Sequence, residues 1–253
     1  MPYRFATERQ DYSDLARGRV LHGLRGHPAY PVRLASEIWQ RCAARLRAEG
    51  RPGPYVLYDP CCGGAYLLTA IGLLHGSELC AAIGSDVDAA VLETARRNLA
   101  LLNRAGMAAR IDEIRALHAA YGKASHAAAL ESARRLDAQV TARPAELETQ
   151  VFLADATDAH ALQAGLVGRA IDVLIADLPY GRDSQWKRLQ EDGVSSCSPL
   201  NQMFNALLAV TSTATILALS ADKGPKLAHP AYLRVEHLRL GKRQVALLRP
   251  RHH

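Results

Sequence analysis

Residues Asp177, Leu178, Pro179 and Tyr180 close the apolar run 171–176 with a carboxylate, a proline turn and an aromatic ring. Together they suit a planar base that carries an exocyclic amine. The carboxylate and a turn carbonyl accept the two amine hydrogens, and the ring of Tyr180 stacks on the base. A run of Ile, Val and Leu reads as a buried strand, and open α/β sheets bind ligands just beyond the carboxyl ends of such strands. Asp177, Pro179 and Tyr180 are therefore the candidate catalytic corner. The competing reading is an ordinary turn made by Pro179 and Gly181, with Tyr180 packed inside.

Three more acids extend the pattern. Asp59, Asp86 and Asp155 each fall at or just past the end of a strand-like segment. Parallel strands align their carboxyl ends, so with Asp177 these acids rim one crevice. Carboxylates gathered in a dry cleft repel one another, so the expected ligand donates hydrogen bonds or carries positive charge. A phosphate ligand is disfavoured: the turn Cys61-Cys62-Gly63-Gly64-Ala65 is neither G-x-x-x-x-G-K-[ST] nor G-x-G-x-x-G. S-adenosylmethionine meets the constraints. Its ammonium and sulfonium suit the turn formed by Asp59, Cys62, Gly63 and Gly64. Its ribose diol suits Asp86, and its adenine amine suits Asp155 and Ala156. For Asp88 and Asp158, one step further along, a helix N-cap is the expected role.

The elements that must position these groups alternate. A helix is expected over 32–48, with Leu34, Ile38, Cys42 and Leu46 four residues apart. Strand 55–58 and an apolar helix to residue 74 follow, then strand 80–84 and helix 89–102. Strand 150–153, strand 171–176, helix 200–210 and strand 215–219 come next. Segments 233–240 and 244–249 alternate in polarity across Gly241-Lys242 and read as a hairpin. The fold expected is α/β, a Rossmann-like, mostly parallel sheet with an antiparallel C-terminal hairpin. Residues 1–50 read as a basic arm and a helix packed on the core. Residues 51–253 read as the main domain, interrupted by an Ala- and Arg-rich helical insertion at 107–140.

Composition narrows the setting. The chain has 253 residues, a formal charge of +6 and a pI near 9.2, which suits a polyanionic partner. Arg17, Arg19 and Arg25 in the arm, and Trp186, Lys187 and Arg188 after the Asp177 corner, are the candidate RNA contacts. Five cysteines without a C-x-x-C pair, and histidines without H-E-x-x-H, point to no disulfide framework and no metal. No apolar run reaches membrane-spanning length and the N-terminus is not signal-like, so a cytoplasmic monomer is expected.

These motifs carry a resemblance. Asp59 to Ala65, Gly84-Ser85-Asp86-Val87-Asp88, Leu153-Ala154-Asp155-Ala156 and Asp177-Leu178-Pro179-Tyr180-Gly181 resemble, in order and spacing, the motifs of class I S-adenosylmethionine-dependent methyltransferases. The similarity is to those acting on exocyclic amines, particularly the guanine-N2 enzymes of RNA. Over its whole length, arm included, the chain is similar to the avilamycin-resistance methyltransferases of large-subunit ribosomal RNA. The resemblance implies a seven-stranded methyltransferase sheet, methylation of a guanine of 23S rRNA and antibiotic resistance. Two positions depart from the pattern: Ala65 stands where a second glycine is usual, and Tyr66 where a small hydroxylated residue is common. An N6-adenine enzyme, a tRNA guanine-N2 enzyme and an inactive RNA-binding module of the same fold are the alternatives.

Overall fold

The computed structural model describes residues 3–24, 29–178, 198–224 and 226–251. Seven strands form one sheet: β1 (Tyr55–Asp59), β2 (Leu79–Asp86), β3 (Glu148–Leu153), β4 (Val173–Asp177), β5 (Ile216–Asp222), β6 (Tyr232–Leu240) and β7 (Arg243–Pro250). Their order is β3-β2-β1-β4-β5-β7-β6. Strands β1 to β5 pair in parallel, and β7 runs antiparallel to both β5 and β6. This is the mostly parallel sheet with an antiparallel C-terminal hairpin expected from the sequence.

The helices among the described residues are α1 (Val32–Ala48), α2 (Tyr66–His75), α3 (Ala89–Ala100), α4 (Arg104–Tyr121), α5 (Ala124–Thr141), α6 (Ala159–Leu166) and α7 (Pro199–Leu207). They cover both faces of the sheet, as a near-continuous apolar strand requires. Alternate strand residues divide between the two layers. Leu57, Val173 and Ile175 pack with Ile38, Trp39, Leu68 and Ile71. Tyr58, Leu174 and Ala176 pack with Leu162, Met203 and Phe204.

Helix starts follow local chemistry. Asp88 accepts a hydrogen bond from Ala90 N, and Asp158 accepts from His160 N and Ala161 N, the N-cap role expected for both. Asn103 caps α4 by accepting from Gly106 N. Helices α4 and α5 form a hairpin across Gly122, whose φ of +59° is the left-handed turn that a glycine adopts without strain.

The arm is irregular apart from a 3-10 turn at Ser13–Leu15. It is nevertheless tightly held. Fully buried Glu37 of α1 accepts from the backbone N–H groups of Arg4, Phe5 and Ala6 at 2.6–2.8 Å, and from Arg41 Nε at 2.7 Å. Leu15, Val20 and Leu21 then enter the core.

Candidate active site

Strand order reverses direction between β1 and β4. Such a switch point opens a crevice, because the following helices depart to opposite faces. Here the β1–β4 pairing covers Leu57 with Val173 and Tyr58 with Leu174. Asp59 and Asp177 lie just beyond those pairs, on the two sides of the opening. Asp86 ends β2 next door, and Asp155 follows β3 beyond it. All four carboxylates bear on the thiol of Cys61, which burial and then their negative charges push upward. The structure thus gathers the four acids singled out from the sequence.

The glycine turn is built from this acid rim. Asp86 Oδ2 accepts from Gly63 N at 2.8 Å, and its Oδ1 from Asp88 N at 2.9 Å. Cys62 N donates to Ser85 O at 2.9 Å, tying the turn to β2. Gly63 has a φ of +52°, and a Cβ there would meet nothing within 4 Å, so the turn faces open space. Ala65 takes up a φ of +55°, the conformation for which a glycine is usual. Holding an alanine there costs roughly 1–2 kcal/mol.

Asp59 is buried and accepts one hydrogen bond, from Cys61 N at 2.9 Å. Burial drives its carboxyl well above the usual range; the Cys61 N–H opposes this, and Asp86 and Asp177 add to it. Asp155 Oδ1 accepts from Thr157 N and Thr157 Oγ1, while Oδ2 accepts nothing from the described residues. Ala156 is buried beside it. A buried, acceptor-only lining of this kind fits a ligand with an ammonium, a diol and an aromatic amine, which are the donors of S-adenosylmethionine.

The Asp177 corner is more elaborate than the sequence suggested. Arg243, the first residue of β7, donates from Nη1 to Asp177 Oδ1 at 2.5 Å. It reaches across β5, where Ser220 is the ladder neighbour of Asp177. Leu178 N donates to Ser220 O at 2.8 Å, which holds the start of the turn. The Arg243 guanidinium lies 5.1 Å from the ring centre of Tyr30, a buried arm residue. The buried hydroxyls of Tyr30 and Ser220 form no well-aligned hydrogen bond among the described residues, although Ser220 lies close enough to act on both Tyr30 and Asp177. Burial raises the Asp177 carboxyl, and the Arg243 cation and the nearby Ser220 hydroxyl partly restrain that rise. Pro179 and Tyr180 lie outside the described residues.

The arm crosses this edge of the sheet. Fully buried Asn98 of α3 accepts from His22 N at 2.7 Å, and its Nδ2 donates to His22 O at 3.1 Å and to Gly64 O at 2.8 Å. Tyr66, the second departure in the sequence, donates its hydroxyl to Leu15 O at 2.8 Å. The arm thus touches the glycine turn near residue 22 and the Asp177 corner at Tyr30. Of the expected RNA contacts, Arg17 donates to Leu24 O at 2.7 Å and Arg19 to Ser13 O at 3.3 Å. Both side chains help to shape the arm itself. Arg25, Trp186, Lys187 and Arg188 lie outside the described residues.

The sequence does not single out Arg243, Tyr30, Ser220 or Asn98 as site residues. No local signal marks them, since their partners lie 66 residues away for Arg243 and 76 for Asn98. A cavity of about 320 Å³ sits elsewhere, between the arm and the C-terminal end of α2, lined by residues including Tyr12, Ser36, Gln40 and His75. It holds none of the residues proposed for the site. Among the described residues no helix is long and apolar enough to cross a membrane, and no group of three or more His, Cys, Asp or Glu side chains is arranged to hold a metal ion.

Known proteins resemble the chain over nearly its full length. The family profile described as rRNA methyltransferase AviRa matches residues 1–243. The 23S rRNA (guanine(2535)-N(1))-methyltransferase of Streptomyces viridochromogenes is 43% identical over 247 residues, covering 98% of this chain and 95% of that protein. A solved structure of rRNA methyltransferase AviRa from Streptomyces viridochromogenes superposes with a TM-score of 0.86 at 42% identity, covering 98% of this chain and 96% of that one. A second structure of the same enzyme gives 0.85 at 43% identity, with the same coverage.

Proposed function

The chain belongs to the AviRa family of rRNA methyltransferases, and from that premise we propose that it transfers a methyl group from S-adenosylmethionine to N1 of a guanine in 23S rRNA. The proposal extends to protection of the ribosome against avilamycin-type antibiotics, and to action in the cytoplasm. The sequence motif pointed to an exocyclic amine. The named relative modifies N1, a ring nitrogen, and its identity to this chain favours N1 here too.

The observation that carries the reading is Asp177, at the mouth of the β1–β4 crevice and beside the acid-rimmed glycine turn. Guanine N1 bears a hydrogen, so its lone pair becomes available for attack only as that hydrogen leaves. S-adenosylmethionine, when bound, supplies an electrophilic methyl whose C–S bonding pair departs with sulfur as a neutral thioether. Asp177 Oδ2 accepts the N1 hydrogen, takes the proton as the N1–methyl bond forms and later releases it to water. A carboxylate raised toward neutrality by burial serves this role better than an ordinary aspartate, because a base works best with a pKa near the working pH. Asp59, Cys62, Gly63, Gly64, Asp86, Asp155 and Ala156 would hold the cofactor beside it. Most of the acceleration is positioning of two bound reactants.

A guanine within a helix must be unstacked to reach Asp177, at a cost of about a few kcal/mol. We assign Arg17, Arg19 and Arg25 of the arm, with Trp186, Lys187 and Arg188, to holding the flipped state. Pro179 and Tyr180 are assigned to shaping the base pocket.

The test is incubation with labelled S-adenosylmethionine and, separately, 23S rRNA, tRNA and DNA, followed by nucleoside identification. Label in 1-methylguanosine from 23S rRNA supports the reading. Label in 2-methylguanosine restores the exocyclic amine, and label only in tRNA or DNA overturns the substrate.

A further inference from the structure

The Asp177 carboxylate does not stand alone at the crevice. Arg243 binds Oδ1 at 2.5 Å and leaves Oδ2 as the oxygen not engaged by that ion pair. The guanidinium is held from behind by the Tyr30 ring at 5.1 Å, and Tyr30 is itself only 5% exposed. A planar cation pinned between a carboxylate and an aromatic face has little rotational freedom, unlike a lysine ammonium in the same place. Ser220 Oγ is fully buried beside the pair, close enough to favour the charged form of both Asp177 and Tyr30, yet it forms no well-aligned hydrogen bond among the described residues, an uncommon state that calls for a reason. A hydroxyl that can turn toward Asp177 as its charge changes supplies one.

We infer that Arg243, braced by Tyr30 and Ser220, is a positioning residue that clamps Asp177 Oδ1 so that Oδ2 faces the N–H group of the target base. The inference rests on the reading of Asp177 as the residue that receives the base. Of the other groups facing Asp177, Asp222 on β5 and Asp59 on β1 are acids that oppose its negative charge, Tyr30 is a neutral phenol that burial keeps protonated, and the Ser220 hydroxyl favours the carboxylate without carrying charge. Arg243 is the cation that opposes those acids. Without it, Asp177 holds its proton to higher pH and its carboxylate turns freely. An Asp177 carrying a proton cannot accept the hydrogen of N1.

The test uses the full-length protein with Arg243→Met, Arg243→Lys and Asp177→Asn variants. Aspartate carboxyl carbons are labelled with ¹³C, and the resonance lost in Asp177→Asn identifies Asp177 without substrate or cofactor. In Arg243→Met its titration midpoint should rise by about one unit or more, the usual effect of losing an adjacent opposite charge. The acidic limb of the kcat profile should move up by the same amount. At neutral pH kcat should fall at least about tenfold, while KM for S-adenosylmethionine stays within about twofold of wild type. Arg243→Lys should restore the midpoint but only part of kcat, since the ammonium returns the charge without the planar clamp. Melting curves and cofactor binding show whether each variant is folded. If Arg243→Met is folded and its Asp177 midpoint and kcat profile match wild type, the clamp is refuted. If Asp177→Asn retains full turnover, the reading of Asp177 itself fails, whatever Arg243 does. Should Arg243→Met fail to fold, Tyr30→Leu takes its place: it must shift the Asp177 midpoint and lower kcat, and wild-type values in that variant overturn the brace.

Discussion

Asn98 should couple the stability of the arm to cofactor binding. Its side chain makes three hydrogen bonds, two to the backbone of His22 and one to Gly64 O in the turn assigned to the cofactor. Replacing it with alanine leaves one N–H and two carbonyls without their partners. At roughly 1 kcal/mol net per hydrogen bond, the loss is about 3 kcal/mol if those groups stay buried. If the arm peels away so that water reaches them, the loss is smaller and appears as arm exposure. Asn98→Asp is the sharper variant. It keeps the acceptor for His22 N but places a carboxylate oxygen 2.8 Å from Gly64 O, where two acceptors then face each other. Stability should therefore fall in the order wild type, Asn98→Ala, Asn98→Asp. Urea unfolding measures the first effect, and limited proteolysis within the arm measures the second. Calorimetric titration with S-adenosylmethionine should show about tenfold weaker binding, equivalent to ~1.4 kcal/mol, because the Gly64 peptide is no longer held. If Asn98→Asp unfolds at the wild-type urea concentration and binds the cofactor with wild-type affinity, the coupling does not exist.

Asp177→Asn should lower methyl transfer at least about a hundredfold, the scale of a lost general base, with cofactor binding intact by calorimetry; near-normal methyl incorporation would remove Asp177 from the mechanism. His22 should make the arm acid-sensitive. Burial, with the cations Arg110 and Arg97, lowers its pKa from 6.5 to about 4, so its neutral form is favoured in the fold. That contribution is complete above pH 6.5 and is lost as pH falls toward 4; the melting temperature should drop over this window, and less so in His22→Gln. Glu37 acts in the same direction at lower pH. Burial raises it, but the N–H groups of Arg4, Ala6 and Phe5 and the side chain of Arg41 win, leaving a net lowering. Glu37→Gln should release the arm to protease even at neutral pH. Gly165→Ala should cost roughly 1–3 kcal/mol by urea unfolding, because its Cβ would lie 2.1 Å from the Phe152 ring.

The parts of the fold that could be read from the sequence are those where one segment carries its own signal. The period of α1, the short apolar runs of β1 and β4, and the alternating halves of β6 and β7 each depend on residues within ten or so positions. The Asp caps of α3 and α6 depend on two or three. Element ends were less exact. The helix expected at 200–210 stops at Leu207, and the chain then turns through a network in which Thr215 Oγ1 donates to Ile171 O and accepts from Ser212 N. That network is tertiary, and no periodicity encodes it. The same limit applies to the site. Asp59, Asp86, Asp155 and Asp177 could be grouped because parallel strands align their ends, a rule that converts sequence position into space. Arg243 comes from an antiparallel strand inserted beside β5, and Tyr30 from an arm without period. No such rule places either of them.

The target atom shows why a motif alone under-determines the chemistry. The pairing edge of a flipped guanine presents the N1 hydrogen beside the N2 amine, and enzymes that flip a base read that edge. A carboxylate that accepts from one donor therefore sits within reach of the other. Asp-Leu-Pro-Tyr is compatible with methylation at either nitrogen, which is why an exocyclic amine followed naturally from the sequence. The two reactions differ in what they demand of Asp177. An N2 amine keeps one hydrogen throughout and sheds its second proton after the methyl bond forms, so an acceptor of ordinary acidity suffices. N1 must lose its only hydrogen as the bond forms, which favours a stronger base held in one orientation. A half-buried carboxylate raised above its usual range, yet kept in register by Arg243, matches the second demand. The feature that separates the two readings is thus the pairing of Asp177 with a residue 66 positions away, which the motif does not contain.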